Sequence, residues 1–340
     1  MQAAIFKGEG VISVEEHEEP TVEAPDDVVI AVEINGLCGS DLRALMVPPQ
    51  MDYVKGVTIG HEFAGTVVGV GSAVSRIEVG NRVVAIPNIN CQTCWYCLTN
   101  RTNLCENFVH IGGMIDGGAA AMVKVPARLV LEIPAGLSTE LASLAEPLAC
   151  VLNGTRTADV QPGDTVVVFG AGPIGLLYML VFQSAGASVI VSEPNDRRRE
   201  FAASLGADLA LNPVDDDLAE AVMTATAGRG ADVAVDSVGR LLADAVSVLR
   251  KGGQALVFGL DDLTRVEVSP AAIAYGELKV SGVYIAKGTF PTALQMLEEN
   301  SQGFERILTH KLPLENVADA IDLARRGEAI KVSVLPNRGH

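Results

Sequence analysis

The sequence predicts an α/β protein of two domains, a β-rich domain of short strands and a doubly wound parallel sheet with helices on both faces. Two patterns carry this prediction. From about residue 153 the chain alternates apolar runs with helical segments, in the order DTVVVFG, ASVIVSE, ADLALN, ADVAVDSVG and QALVFGL. Alternation of that kind builds a parallel sheet covered by helices. Before it, residues 1–131 carry short β-rich runs such as 28–34, 64–70 and 82–86, separated by Gly, Pro and Asn. A length of 340 residues leaves room for two cores, and 49% apolar residues are enough to fill them.

The remaining elements follow in order. Residues 138–157 read as mostly helical, 279–284 as a further strand, and 291–300 and 316–326 as helices. The last strand, 329–335, is expected to return to the first domain. The parallel-sheet domain is therefore placed at 153–285, and the β-rich domain at 1–152 with 286–340. The N-terminus, MQAAIFKGEG, has neither the basic segment nor the apolar stretch of a signal peptide, which predicts a cytoplasmic protein. With 25 basic and 42 acidic residues the net charge is −17, which disfavours nucleic acid and anionic membranes as partners.

The most informative stretch is DTVVVFGAGPIG at residues 164–175. An apolar β run stops at Gly170-Ala171-Gly172 and continues past Pro173, Ile174 and Gly175 with helical character. A buried strand that turns sharply into a helix presents N-terminal amides to a pyrophosphate. Residues 166–182 contain no charge and are 17 long, so a membrane span competes, but the Gly-Ala-Gly-Pro elbow interrupts it. Glu193 ends the second strand, 23 residues after Gly170. A carboxylate there accepts from the adenosine ribose hydroxyls and repels a 2′-phosphate, which favours NAD over NADP. Arg197, Arg198 and Arg199 follow, either to meet a phosphate or as a solvated first helical turn.

Four of the six cysteines fall at Cys91, Cys94, Cys97 and Cys105. Four thiolates on such short loops suit a closed tetrahedral zinc site, with an iron–sulfur cluster as the competing reading and disulfides behind both. A second group is scattered: Cys38 in GLCGSDLR, His61 and Glu62 in IGHEFAG, and Glu146 in LAEPLAC. A thiolate, an imidazole and carboxylates give zinc three protein ligands and leave one position open for water or substrate. Taken singly, each of these residues has an ordinary structural explanation, and their joint occurrence with the glycine turn is what raises them.

CGSD at residues 38–41, GHEFAGTVVGVG at 60–71, VGNRV at 79–83, the four-cysteine lobe at about 88–108, EPLAC at 146–150 and GAGPIG at 170–175 occur in one order along the chain. In this the chain resembles the zinc-dependent medium-chain alcohol dehydrogenases, on the sorbitol, butanediol and threonine dehydrogenase side. The resemblance implies a GroES-like catalytic domain around an inserted Rossmann domain, with NAD(P) and a catalytic zinc meeting in the cleft between them. It implies two zinc ions per chain, a small-molecule alcohol or ketone as substrate, and a homodimer or homotetramer. It makes Cys38 and His61 zinc ligands, with Glu62 and Glu146 as the two candidate carboxylates, and Ser40 the hydroxyl that passes the substrate proton onward. Gly172, Pro173, Ile174, Glu193 and Arg198 are expected to contact the cofactor. Ser237, Gly259, Leu260, Val283 and Tyr284 should lie along its nicotinamide half.

Three positions depart from the sorbitol-type pattern. Arg43 stands where CGSDxH has the outer histidine of the proton relay, Ala44 stands where an aromatic is common, and Ile285-Ala286 replaces Arg-Tyr. Linear hexitols then fit poorly, and a secondary alcohol on a bulkier, cyclic or sugar-like molecule fits better, with Arg43 facing either substrate, an acidic neighbour or the pyrophosphate. A redox-neutral epimerase with tightly held NAD and a non-catalytic crystallin-like or regulatory relative are the alternatives.

Overall fold

The computed structural model describes residues 1–337. Its chain forms two compact units: Met1–Ala149 with the segment from Ala286 onward, and Cys150–Ile285.

The first unit is built on a seven-stranded sheet that runs Leu308–Pro313, Lys331–Leu335, Asp27–Gly36, Glu62–Val70, Arg82–Ala85 and Val130–Glu132, with Met122–Pro126 also paired to Asp27–Gly36. Val28, Ile30 and Val32 alternate along Asp27–Gly36 and meet Phe63, Val67, Val83, Val123 and Val125 in one core, as a strand with side-chain period two requires. The C-terminal strand returns as expected, pairing antiparallel with Asp27–Gly36. That return converges on Gly36, which faces Glu62 on one side and Ser333 on the other. The next residue, Leu37, donates its N–H to Val332 O. Cys38, Glu62 and Lys331 are thereby gathered at one strand end. A Cβ on Gly36 would run into Glu62 Oε2 and stand 3.0 Å from Lys331 Cε, so a larger residue would have to displace that pair.

In the second unit six strands pair in parallel, in the order Leu209–Leu211, Ser188–Ser192, Thr165–Phe169, Ala231–Asp236, Leu249–Val257 and Lys279–Gly282. The order reverses at Thr165–Phe169, the topological switch point where such sheets bind ligands. Two strands differ from the sequence reading. Leu249–Val257 begins five residues before QALVFGL, but its pairing with Ala231–Asp236 jumps from Leu249 to Gln254, so residues 250–253 bulge out, with Arg250 Nε donating to Asp232 at 2.5 Å. The last strand stops at Gly282, short of Tyr284. Beyond it Ile285 holds φ +39°, a costly conformation for a β-branched residue, fixed by Asn153 Nδ2 donating to the Tyr284 and Ile285 carbonyls. The uncharged run at 166–182 is divided between the Thr165–Phe169 strand and the Pro173–Ser184 helix. No helix among the described residues is long and apolar enough to cross a membrane.

Candidate functional site

Ligand atoms of Cys38, His61 and Glu62 lie within 4.8 Å of one another, although the residues come from separate elements. Cys38 is the N-cap of the Gly39–Ala44 helix, and Glu62 opens the Glu62–Val70 strand. His61 is 4% exposed and Glu62 1%, whereas Cys38 is only half-buried. Glu146, in the first turn of the Ala145–Thr155 helix, is buried but does not join the trio. Its charge nonetheless acts on both His61 and Lys331.

The side chains around the trio include three the sequence reading did not assign. Asp41 is fully buried, accepts the Cys38 N–H at 2.9 Å, and stands 3.7 Å from His61 Nδ1. A carboxylate behind a ligating imidazole fixes its orientation and raises its basicity. Burial pulls the His61 imidazole down, but the Asp41 carboxylate and Cys38 outweigh it and push the group up to about 10. Tyr53 donates its hydroxyl to Asp41 Oδ1 at 2.9 Å and lies 3.3 Å from Ser40 Oγ, while Ser40 Oγ is 3.5 Å from His61 Nε2. Burial, and then the Asp41 charge, keep the Tyr53 phenol protonated well above its ordinary range. Lys331, 2% exposed, pairs with Glu62 and donates to Leu37 O at 3.0 Å. Burial works against its charge, but Glu62 and Cys38 outweigh that and hold its pKa above the usual lysine value. A lysine inside the apolar run AIKVSVL was itself a signal, since a buried cation needs an acid.

This set fits a metal. It offers sulfur, nitrogen and oxygen donors within 4.8 Å of one another, the mixed donor set that zinc accepts. Arg43 reaches the loop that follows its helix. Its Nη2 donates to Gln50 O at 3.0 Å, and Gln50 N–H donates back to Arg43 O, so the residue clasps the loop after its own helix. His110 packs its ring 4.7 Å from that of His61, centroid to centroid. Burial, with His61 beside it, pushes the His110 imidazole down to about 3.

The four lobe cysteines also have their sulfurs within 4.8 Å of one another. Here the support is backbone: Cys91 N–H donates to Cys105 Sγ and Cys94 N–H to Cys91 Sγ, each at 3.3 Å. Hydrogen bonds from Thr93 lower the Cys91 thiol to about 5, whereas burial and the adjoining thiols push Cys97 up to about 12. All six cysteines are free of disulfides, and a tetrathiolate cluster with no open position suits structural zinc.

At the glycine turn each glycine has its own reason. Gly170 holds φ +94°, and a Cβ on Gly175 would collide with the Gly170 carbonyl. Gly172, the N-cap of the Pro173–Ser184 helix, has nothing within 4 Å of where a Cβ would stand. Its outer face is open for a close-approaching group, as the phosphate end of a dinucleotide requires. Ile174 lies in the first turn of that helix. Glu193 has a job the sequence reading missed: Oε2 accepts the Ala171 N–H at 2.7 Å and Oε1 the Asn195 N–H at 2.8 Å, tying the turn to the next loop. Arg199 is spent on Glu193 O, Pro194 O and Asp196. Arg198 keeps a buried Nε without a hydrogen bond among the described residues. Ser237 donates to Phe169 O at 2.6 Å, beside Gly170. Gly259 is pressed against Val238 and Gly239, Val283 is buried, and Leu260 and Tyr284 are exposed. Asp236, also unassigned from sequence, accepts the N–H groups of Val238, Gly239 and Leu241 and shapes the loop that carries Ser237.

Comparison with known proteins agrees with this chemistry. Residues 24–135 match the family model for the alcohol dehydrogenase GroES-like domain, and 173–299 that for zinc-binding dehydrogenase. A sorbitol dehydrogenase of Bacillus subtilis is 32% identical over 99% of this chain and 98% of its own length. A D-altritol 5-dehydrogenase of Agrobacterium fabrum is 34% identical, covering 92% of each. Among solved structures, a zinc-binding dehydrogenase of Sinorhizobium meliloti 1021 bound to NADP superposes with a TM-score of 0.93 at 32% identity, over 98% of this chain and 99% of that one. The chain therefore belongs to the zinc-dependent medium-chain alcohol dehydrogenases, oxidoreductases that act on CH–OH groups with zinc and a nicotinamide cofactor.

Proposed function

We propose that this enzyme interconverts a polyhydroxylated secondary alcohol, of cyclitol or sugar-like type, and its ketone, with NAD as the hydride acceptor and two zinc ions per chain. The observation that carries the proposal is the Cys38–His61–Glu62 trio beside the Ser40–Tyr53–Asp41 hydrogen-bond chain. Cys38 and His61 would hold the catalytic zinc together with a carboxylate from Glu62 or Glu146, and Cys91, Cys94, Cys97 and Cys105 would hold the structural one. When bound, zinc supplies a Lewis acid that makes an alcohol more acidic, and the nicotinamide supplies the hydride acceptor.

The chain's own residues do the rest. Asp41 fixes the His61 ring and takes the Tyr53 phenol proton in a hydrogen bond. Tyr53 then offers its oxygen lone pair to Ser40, which leaves Ser40 Oγ free to receive a proton from the substrate side. Lys331 restrains Glu62 and offsets its charge, so that the carboxylate does not stand unpaired in a dry site. On the cofactor, Gly172 leaves room for the pyrophosphate. Glu193 keeps lone pairs beyond its two amide bonds, and a carboxylate at the end of the second strand would repel a 2′-phosphate, which supports NAD. Arg198 is then a partner for the ribose.

The relatives named for sorbitol and D-altritol support a polyhydroxylated substrate, while Arg43, Ala44 and Ile285-Ala286 argue against linear hexitols. A panel of alcohols and ketones followed by NADH absorbance, with NAD and NADP in parallel, tests both parts. Higher kcat/KM for sorbitol or xylitol than for every cyclic secondary alcohol would refute the substrate class. Higher kcat/KM with NADP than with NAD would refute the cofactor assignment.

A further inference from the structure

We propose that His110 and Asn88 form a polar subsite that reads a second hydroxyl of the substrate, on the carbon next to the one that is oxidised. The inference rests on the alcohol-oxidising reading of the Cys38–His61–Glu62 trio and extends it to the recognition of a neighbouring group. Asn88 and His110 stand opposite each other in the short antiparallel pair Asn88–Ile89 and Val109–His110. Directly opposed residues of such a pair put their side chains on one face, and the His110 ring on that face lies 4.7 Å from the ring of His61.

Neither side chain finishes its hydrogen bonding inside the protein. Asn88 is 8% exposed, and its Nδ2 is buried with no partner among the described residues. The His110 ring makes no hydrogen bond among those residues either, and its neighbours are the rings of Tyr53 at 6.2 Å, Phe108 at 6.0 Å and His61. The imidazole is nevertheless held in place. It stacks on Phe108 at an interplanar angle of 15°, and Gly113 leaves it space that a Cβ would take, 2.7 Å from His110 Nδ1 and 2.9 Å from the Tyr53 ring.

A buried polar group in a native protein normally finds a partner, which Asn88 Nδ2 lacks among the described residues, while the half-buried His110 ring beside it keeps nitrogens open to a solute. A hydroxyl supplies what both lack, since it can accept from Asn88 Nδ2 while donating to a nitrogen of the His110 ring. A site that hydrogen-bonds a substrate hydroxyl rejects the analogue without it, because its own polar groups are then left unpaired.

Matched probes isolate that hydroxyl: trans-cyclohexane-1,2-diol against cyclohexanol, and butane-2,3-diol against butan-2-ol. The readout is the ratio of kcat/KM for diol over mono-alcohol, measured with zinc-replete enzyme and NAD. Wild type should favour the diols by at least about tenfold, and His110→Phe and Asn88→Leu should each cut that preference by about fivefold or more. His110→Gln, which restores a polar group, should recover part of the preference that His110→Phe loses. Zinc content and thermal melting of each variant establish that it is folded. Diol and mono-alcohol rates that fall in the same proportion would mean a packing role and overturn the subsite, as would a wild type without diol preference. Wild type that oxidises none of the alcohols would instead overturn the alcohol-oxidising reading, and the subsite with it.

Discussion

The four-cysteine lobe and the Cys38–His61–Glu62 trio each bring their ligand atoms within 4.8 Å, yet they are assembled in opposite ways. The lobe takes its donors from 15 consecutive residues and supports them with backbone N–H groups, and Cys91, Cys94 and Cys97 are only half-buried. The trio joins residues that only the fold brings together, and it is supported by buried side chains, Asp41 and Lys331. A local cluster needs little from its surroundings and gives little access. A dispersed cluster must be held by residues behind it, and in return it sits where the fold can shape a dry, polar site. The first arrangement suits a structural metal and the second a reacting one.

The sharpest way to break this contrast is to remove one thiolate from each cluster. Cys38→Ser should lower turnover by about a thousandfold or more, the equivalent of ~4 kcal/mol of transition-state stabilisation. Cys94→Ser should act mainly on thermal stability, with the melting temperature falling while the remaining folded enzyme keeps its KM for substrate. If Cys94→Ser abolished turnover in folded protein, the division of roles would be wrong.

Lys331→Met comes next. It removes the lysine paired with Glu62, and should destabilise the zinc-free protein by about 3–5 kcal/mol in urea unfolding. A change within about 1 kcal/mol would mean that Glu62 does not depend on Lys331. Asp41→Asn keeps the shape but weakens the carboxylate behind His61, and should cost about 10–100-fold in zinc affinity or kcat. The nucleotide turn gives a smaller version of the same comparison. Gly172→Ala adds a methyl group facing open space and should raise KM for NAD about tenfold at unchanged stability, if the cofactor approaches there as closely as proposed. Gly175→Ala meets the Gly170 carbonyl instead, and should lower stability by about 1–3 kcal/mol.

What was legible in the sequence follows the same division. The lobe could be read from spacing alone, and the glycine turn from one strand–elbow–helix pattern, because each is local. The strands carrying DTVVVFG and ASVIVSE were visible because they are buried on both faces, which makes them continuous apolar runs. Leu249–Val257 starts earlier than QALVFGL, but Arg250-Lys251-Gly252-Gly253 bulges out of register, and regular pairing resumes at Gln254, where the apolar run begins. The supporting residues were the hidden part. Tyr53 and His110 lie in loop-like sequence with no periodicity, and Lys331 is 269 positions from the glutamate it pairs with. Glu193 was noticed as an acid at a strand end, but its bonds to Ala171 and Asn195 depend on a turn conformation that composition does not reveal.

The most direct test of the account is zinc per chain, measured by elemental analysis on wild type and on Cys38→Ser, with turnover recorded on the same samples. Two zinc ions in wild type, one in Cys38→Ser and loss of turnover with that one ion are the predicted result. Wild-type turnover in Cys38→Ser carrying a single zinc would contradict it.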